Sequence, residues 1–174
     1  MAKQPKVPDF KKIAQEAFKD LPNEVALMAK NHFLKSFIKE GFEDTSFIAW
    51  PKRKDTDGHK LLSKSLQLRG SLKIDKANFK RIEVSAGEGL PYAAIHNEGG
   101  IINVQVTKKI RKFFWYMFYK TNIQKYKMMA LTKKSSFRIR IPKRQYIGES
   151  YKLNQDLDKK FIDRIIEAQR KLKF

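Results

Sequence analysis

Apolar residues near the N-terminus recur every three to four residues, which is the period of an amphipathic helix. The first run starts near Asp9 and contains the apolar positions Phe10, Ile13, Ala14, Ala17 and Phe18. A second run starts at Pro22, a favourable first-turn residue. Its apolar positions are Val25, Met28 or Ala29, Phe33 and Phe37, with Ile38 beside them. The pattern predicts two helices, and Gly41 is the expected end of the second.

The middle of the chain changes to the two-residue alternation of strands. Trp50-Pro51 opens a polar loop, after which a short helix is predicted to end at Gly70. That helix carries the leucines Leu61, Leu62, Leu66 and Leu68. Apolar and polar residues then alternate over 71–74 and 81–86, on either side of a polar turn at 75–78. These two segments predict a β-hairpin.

The remaining pattern predicts two helices, two strands and a long final helix. Pro91 can start a short helix that contains His96, and residues 102–106 alternate like a strand. A helical run from Thr107 to Leu131 follows, and the strand at 137–141 ends at Pro142. The last helix is predicted to begin near Asn154 or Asp156, with the apolar stripe Leu157, Phe161, Ile165, Ala168 and Leu172.

These elements predict an α+β fold in which a small antiparallel β-sheet packs against flanking helices. The strands are short, and several have no room for a crossover helix between them, so antiparallel pairing is expected. We expect one domain over residues 1–174, with residues 1–8 as a flexible basic arm and residues 107–131 as an aromatic-basic helical segment.

The composition excludes several kinds of chemical site and segment. The chain has no cysteine, which excludes disulfides and thiolate metal sites and suits a reducing cytosol. Its longest strongly apolar stretch, 113–119, is far shorter than the roughly 20 residues of a membrane span, so no membrane association is expected. The N-terminal residues 1–8 lack the apolar segment of a secretory signal.

The net charge of +20 is unevenly distributed. No Asp or Glu occurs between Glu98 and Glu149, whereas 13 of the 38 Lys and Arg residues lie in that window. Such a concentrated surplus attracts polyanions or acidic protein surfaces. The candidate polyanion contacts are Lys108, Lys109, Arg111, Lys112, Arg138 and Arg140.

His96 lies in the first of two notable motifs, Tyr92-Ala93-Ala94-Ile95-His96-Asn97-Glu98-Gly99-Gly100. A catalytic interpretation makes His96 a general base, with Tyr92 or Glu98 beside it. The structural interpretation, which we favour, has Tyr92 and His96 pack where a helix meets the sheet, while Gly99 and Gly100 end the helix with positive φ. The three histidines are far apart in sequence, so neither a metal nor another cofactor is expected.

Bulky aromatic residues dominate the segment 113–119 and are flanked by cations. A helix that is apolar around most of its circumference is usually covered on more than one side, either within the monomer or by a neighbouring subunit. A nucleic-acid surface with stacking rings is the competing interpretation, but it needs spaced and exposed rings. The candidate subunit or partner contacts here are Phe113, Phe114, Trp115 and Phe118.

The second motif is Ile141-Pro142-Lys143-Arg144-Gln145-Tyr146-Ile147-Gly148. Arg144 and Tyr146 are further candidate contacts to a subunit or partner, because a planar guanidinium and an aromatic ring suit interfaces. An ordinary surface ion pair is the alternative role for Arg144.

In this order, after the turn Leu66-Gln67-Leu68-Arg69-Gly70-Ser71-Leu72 and before a C-terminal amphipathic helix, the two motifs resemble the tailed-phage virion morphogenesis family over about residues 40–172. Similar members often have a second Pro after the Arg, where this chain has Gln145. The resemblance implies a small tail-completion or head–tail (neck) joining protein.

The resemblance implies a structural subunit and not an enzyme. The expected partners are further copies of the chain, arranged as a ring, and other phage head, neck or tail proteins. The acid-free window between Glu98 and Glu149 would face either an acidic partner surface or DNA in a central channel. The expected location is the virion, and the host cytoplasm during assembly. The alternative, which rests on charge and on His96, is a basic nucleic-acid-binding protein or a nuclease.

Overall fold

Seven helices and six strands make up the computed structural model, which describes residues 10–53 and 58–170. The helices are α1 Phe10–Phe18, α2 Leu21–Lys39, α3 Gln67–Gly70, α4 Ala93–Glu98, α5 Lys108–Thr121, α6 Gln124–Ala130 and α7 Tyr151–Arg170. The strands are β1 Gly41–Glu43, β2 Phe47–Ala49, β3 Lys73–Asn78, β4 Arg81–Ser85, β5 Gly100–Gln105 and β6 Ser136–Ile141. The predicted α+β class with antiparallel pairing and a long C-terminal helix is confirmed. Within the described ranges the strands pair as three two-stranded sheets, β1–β2, β3–β4 and β5–β6.

The chain divides into two compact units by its internal contacts. Unit 1 runs up to Glu98 and resumes at Lys143, and unit 2 is the insertion Gly99–Pro142. The single domain over residues 1–174 therefore stays a prediction, and the basic arm of residues 1–8 lies outside the described residues.

Aromatic residues occupy the centre of unit 1. Phe37 of α2 is 1% exposed, and its ring lies 5.7 Å from Trp50, edge-on, and 5.2 Å from Tyr146. The helix α2 packs against β1, β3, β4 and α7. The buried residues of this core are Ala29, Phe33, Phe37, Phe42, Trp50, Leu61, Leu68, Leu72, Ala93, Tyr146 and Leu153. They come from segments of unit 1 that are far apart in sequence, so long-range contacts hold this unit together.

The end of α2 differs from the prediction in one detail. Glu40, and not Gly41, adopts the left-handed conformation, with φ of 53°. The Glu40 carboxylate accepts the Leu61 N–H at 2.6 Å, a tertiary contact that holds this end of the helix. Gly41 is required for space, because a Cβ there would lie 2.7 Å from the Ile48 carbonyl oxygen and would overlap the Phe47 ring.

Three further boundaries were predicted incorrectly. The strands β1 and β2 were missed, since three residues are too few to show alternation. The short leucine helix is reduced to α3, and residues 61–66 form turns and bends. The helix α7 starts at Tyr151 because Ser150 Oγ accepts the Leu153 N–H at 3.1 Å and Asp44 Oδ1 accepts the Tyr151 N–H at 2.7 Å. Ser150 and Asp44 thus satisfy donors of its first turn.

Unit 2 consists of the two-stranded antiparallel sheet β5–β6 and the helices α5 and α6, which lie between its strands in sequence. Gly100 pairs with Ile141 at one end of the sheet, and Gln105 pairs with Ser136 at the other. The helical run expected from Thr107 to Leu131 is interrupted after Thr121, where Asn122 adopts a left-handed φ of 54°. Asn is among the few residues that take this conformation readily, and it therefore separates α5 from α6.

Candidate functional site

The two sequence motifs meet in unit 1. The backbone N–H of Arg144 donates to the His96 carbonyl at 2.8 Å, and the Tyr146 hydroxyl donates to the Ala93 carbonyl at 3.0 Å. Asn97 Oδ1 accepts the N–H groups of Tyr146 and Ile147 at 3.0 and 3.2 Å. The last turn of α4 is thereby bonded to the 144–147 loop. We call this arrangement the α4 junction.

Asn97 is the residue of the α4 junction that the sequence analysis missed. Its position just before the paired glycines was a usable signal, because a short polar side chain at a helix end often bonds a nearby backbone. Gly99, with φ of 74°, takes the predicted left-handed conformation after this helix.

We expect Asn97→Ala to lower the free energy of unfolding by about 2–3 kcal/mol, since two largely buried N–H groups would lose their acceptor. Asn97→Asp keeps the accepting oxygen and is the matched variant, with a smaller expected loss. Urea unfolding followed by tryptophan fluorescence measures both. Equal stabilities for the Ala and Asp variants would contradict the bonding role.

Arg144 and Tyr146 lie inside unit 1, with 8% and 2% of their surface exposed. The Arg144 guanidinium donates from Nε and Nη2 to the Pro51 carbonyl, at 3.1 and 2.9 Å. Burial, and then the charge of Arg53, lower the pKa of Arg144. Both side chains thus make these contacts within their own subunit, and their contact with a further subunit or partner stays a prediction. Arg144 is buried and is therefore not part of a surface ion pair.

The His96 imidazole is placed beside a cation. Burial, and then the charge of Arg144, lower the pKa of His96, so the ring is neutral at pH 7. Its Nδ1 is buried with no hydrogen-bond partner among the described residues, and the Tyr92 ring lies edge-on at 6.0 Å. His96 lines a cavity of about 310 Å³ together with Arg53, Leu61, Leu62, Lys64, Ser65, Leu68, Tyr92 and Arg144. Among the described residues this lining includes no carboxylate, which disfavours a His–carboxylate general base.

Stability should fall as the pH is lowered through about 6.5, the ordinary histidine pKa. Burial lowers the folded-state pKa of both His32 and His96. The unfolded chain then binds protons more readily, so stability is complete above that pH and is lost as the pH approaches the folded-state values. Urea midpoints at pH 7.5 and 5.5 measure the effect. The double variant His32→Asn/His96→Asn should show a smaller difference, and an unchanged difference would contradict the assignment.

Unit 2, all of whose residues the structure describes, has almost no buried interior. Ala130 is its only fully buried residue, and α5 has none. Its exposed large apolar side chains are Ile101, Ile102, Phe113, Tyr116, Tyr119, Ile123, Met128, Leu131 and Ile139. The expectation that the aromatic helix is covered on several sides is therefore not met within this chain.

The helix α5 has two different sides. On the inner side Phe114 meets Phe137 at 5.8 Å and Tyr126 at 6.5 Å between ring centroids. Trp115 and Phe118 are half-buried and lie 6.0 Å apart. The exposed side, which we call the α5 outer face, consists of Lys109, Lys112, Phe113, Tyr116, Tyr119 and Lys120. These positions fall within one arc of a helix with 3.6 residues per turn.

Five of the six candidate polyanion contacts are exposed. They are Lys108, Lys109, Lys112, Arg138 and Arg140. Arg138 and Arg140 are two residues apart on β6 and therefore point to the same side of the β5–β6 sheet. Arg111 differs, because its half-buried guanidinium donates to the carbonyls of Ala130 and Thr132 at 2.9 and 2.6 Å. It connects α5 to the end of α6.

Within residues 10–53 and 58–170, no helix combines the length and hydropathy that a bilayer crossing requires. The same ranges contain no group of three His, Cys, Asp or Glu side chains that could hold a metal ion.

Comparison with known proteins supports one assignment. No curated protein and no solved structure gives a significant match. The model of the phage virion morphogenesis family matches residues 41–167. That match begins at β1, includes the α4 junction and the whole of unit 2, and extends into α7. The chain belongs to the phage virion morphogenesis family.

Proposed function

We propose that this chain is a structural subunit that completes the tail or joins head and tail, and that it acts as an oligomer without catalysis. Membership of the family supports a role in virion assembly and contacts with other phage proteins. Its expected location is the neck or tail of the virion, reached from the host cytoplasm during assembly.

The observation that carries the proposal is the uncovered surface of unit 2. Nine large apolar side chains are exposed on a unit with one fully buried residue. A monomeric protein rarely leaves such a surface in water, whereas protein interfaces are enriched in Tyr, Phe, Trp and Met. Unit 2 is therefore the part of the chain that we expect to contact other proteins in the assembled particle.

A ring is the proposed form of the oligomer. Ring closure needs a heterologous interface, in which two different patches of each subunit meet. Light scattering of the purified protein, alone and with purified tails, would show whether a closed oligomer forms.

The α4 junction supports a structural role for His96. Its imidazole lies edge-on to the Tyr92 ring at 6.0 Å and lines the same cavity as Arg144. We expect His96→Ala to lose stability or assembly. If the variant instead folded and assembled normally but lost a catalysed reaction, the non-enzymatic proposal would be wrong.

Nucleic-acid binding is the second candidate function. It is favoured by Arg138 and Arg140, which lie on one side of the β5–β6 sheet. A DNA-binding protein should lose affinity steeply with salt, by about 0.9 log units per phosphate contact per log unit of salt. A gel-shift series over salt with duplex DNA tests this. Tight binding by a monomer that forms no oligomer would replace the first proposal with this one.

Removal of the gene from the phage tests the proposed function most directly. We expect full heads and separate or incomplete tails, visible by electron microscopy, and restored infectivity when the purified protein is added to the extract. Normal, infectious particles without the gene would refute the proposal.

A further inference from the structure

We propose that the α5 outer face docks onto an acidic protein surface with an apolar centre, carried by a different protein of the virion. This inference rests on the proposed assembly role and names the partner of unit 2. Its basis is the way in which charge and apolar surface are combined on the face.

Rings and cations alternate on the α5 outer face. Phe113, Tyr116 and Tyr119 are 54%, 58% and 78% exposed, and they follow one another at intervals of three residues. The Lys120 ammonium lies 6.0 Å from the centre of the Tyr116 ring, so cation and ring act as one surface. A helix with such a stripe presents anchors for a groove or shallow depression on a partner.

The positive charge of unit 2 indicates that the partner surface is negatively charged. Residues 99–142 contain 11 Lys and Arg and no Asp or Glu. Removing these cations from water is unfavourable unless carboxylates replace the lost hydration. A complementary surface must therefore be acidic around the apolar contacts.

A second copy of this chain is a poor match. If the α5 outer face docked onto the same face of another copy, two positively charged units without Asp or Glu would lie against each other. The remainder of the chain has 27 Lys and Arg against all 18 Asp and Glu, so it is also positive overall. The required acidic surface is therefore assigned to another protein.

Duplex DNA is also a poorer match, although it is a polyanion. A duplex keeps its bases stacked inside, so the exposed rings Phe113, Tyr116 and Tyr119 would meet mainly phosphates and sugars. A phosphate backbone buries little apolar surface, whereas the core of a protein interface does.

The test uses full-length protein and DNase-treated particles purified from phage that lack the gene. One variant combines Lys109→Glu, Lys112→Glu and Lys120→Glu. The matched control, with the same change in net charge, combines Lys19→Glu, Lys80→Glu and Lys159→Glu at exposed positions of unit 1. We expect the face variant to lose at least about tenfold in co-sedimentation with particles, and the control to stay within about twofold of wild type.

Equal losses in both variants would mean that only bulk charge matters, and undiminished binding by the face variant would exclude the face. Either result overturns the inference. Melting curves by circular dichroism check that both variants fold. If the Glu variant does not fold, the measurement is repeated with Gln at the same three positions. Gln removes the charges and is compatible with a helix.

Second-site suppressors of the face variant identify the kind of partner. Suppressors that replace Asp or Glu in a different virion protein support the inference. Suppressors at acidic positions of this chain would indicate that the partner is a second copy, and they would overturn the inference. Full restoration of co-sedimentation by added duplex DNA would indicate that DNA bridges protein and particle, and it would also overturn the inference. The proposed function is judged separately: it fails if the gene is dispensable, whereas the docking inference fails if the gene is required and the face variant still complements it.

Discussion

Replacing Tyr146 with alanine is expected to lower the free energy of unfolding by about 3–5 kcal/mol. The ring is 2% exposed, lies 5.2 Å from the Phe37 ring and completes the aromatic centre of unit 1. Its hydroxyl donates to the Ala93 carbonyl in α4. The truncation would therefore leave a cavity and release α4 from the 144–147 loop. Urea unfolding followed by tryptophan fluorescence measures the loss, because Trp50 lies in the same core.

Tyr146→Phe separates the two contributions of this side chain. It keeps the ring and removes one hydrogen bond, so we expect a loss of about 1 kcal/mol. Burial, the first of its causes, raises the pKa of the Tyr146 hydroxyl, which therefore stays protonated and able to donate at neutral pH. A Phe variant as unstable as the Ala variant would show that the hydroxyl, and not packing, dominates.

Gly87→Ala should destabilise unit 1 by about 2–5 kcal/mol. The φ of Gly87 is +81°, a left-handed conformation that costs other residues about 1–2 kcal/mol. A Cβ there would also overlap the Ala93 methyl group at the start of α4. The Gly87 N–H donates to Ser71 Oγ at 2.7 Å, so the backbone cannot move away without losing that bond. Thermal melts monitored by circular dichroism provide the measurement.

Gly89 offers a closely matched control in the same loop. Its φ is +72°, but nothing lies within 4 Å of the position that a Cβ would occupy. Gly89→Ala therefore carries only the conformational cost, about 1–2 kcal/mol. If both variants lost the same free energy of unfolding, the close approach of α4 to Gly87 would not contribute to the cost of the substitution.

Elements with a long, regular period were predictable from sequence alone. The helices α1 and α2 lie where apolar spacing placed them, because each repeats its pattern over several residues. The β3–β4 hairpin was also predicted, but its first strand runs through the expected turn at 75–78, and the chain turns after Asn78. The short pair β1–β2 had too few residues to show a period. The interruption at Asn122 depends on one left-handed residue within an otherwise helical pattern, which spacing cannot detect.

The candidate site was predictable in its motifs but not in its contacts. Spacing and residue type singled out His96, Arg144 and Tyr146, yet exposure was assigned to the last two on chemical character alone. Whether a guanidinium faces solvent or a carbonyl depends on chain segments far away in sequence; for Arg144 the acceptor is Pro51, 93 residues earlier. The acid-free charge of unit 2 was visible in the sequence, but the exposure of its rings was not.

The hydrogen bond between His96 and Arg144 has a consequence for how this gene can diversify. It holds together the two points of unit 1 between which unit 2 is inserted. The β5–β6 sheet of the insertion likewise begins and ends on paired residues, Gly100 and Ile141. Entry and exit thus lie side by side, so exchanging the insertion adds little loop-closure entropy. Recombination between phages that exchanges residues 99–142 as one segment would therefore leave every core residue of unit 1 unchanged.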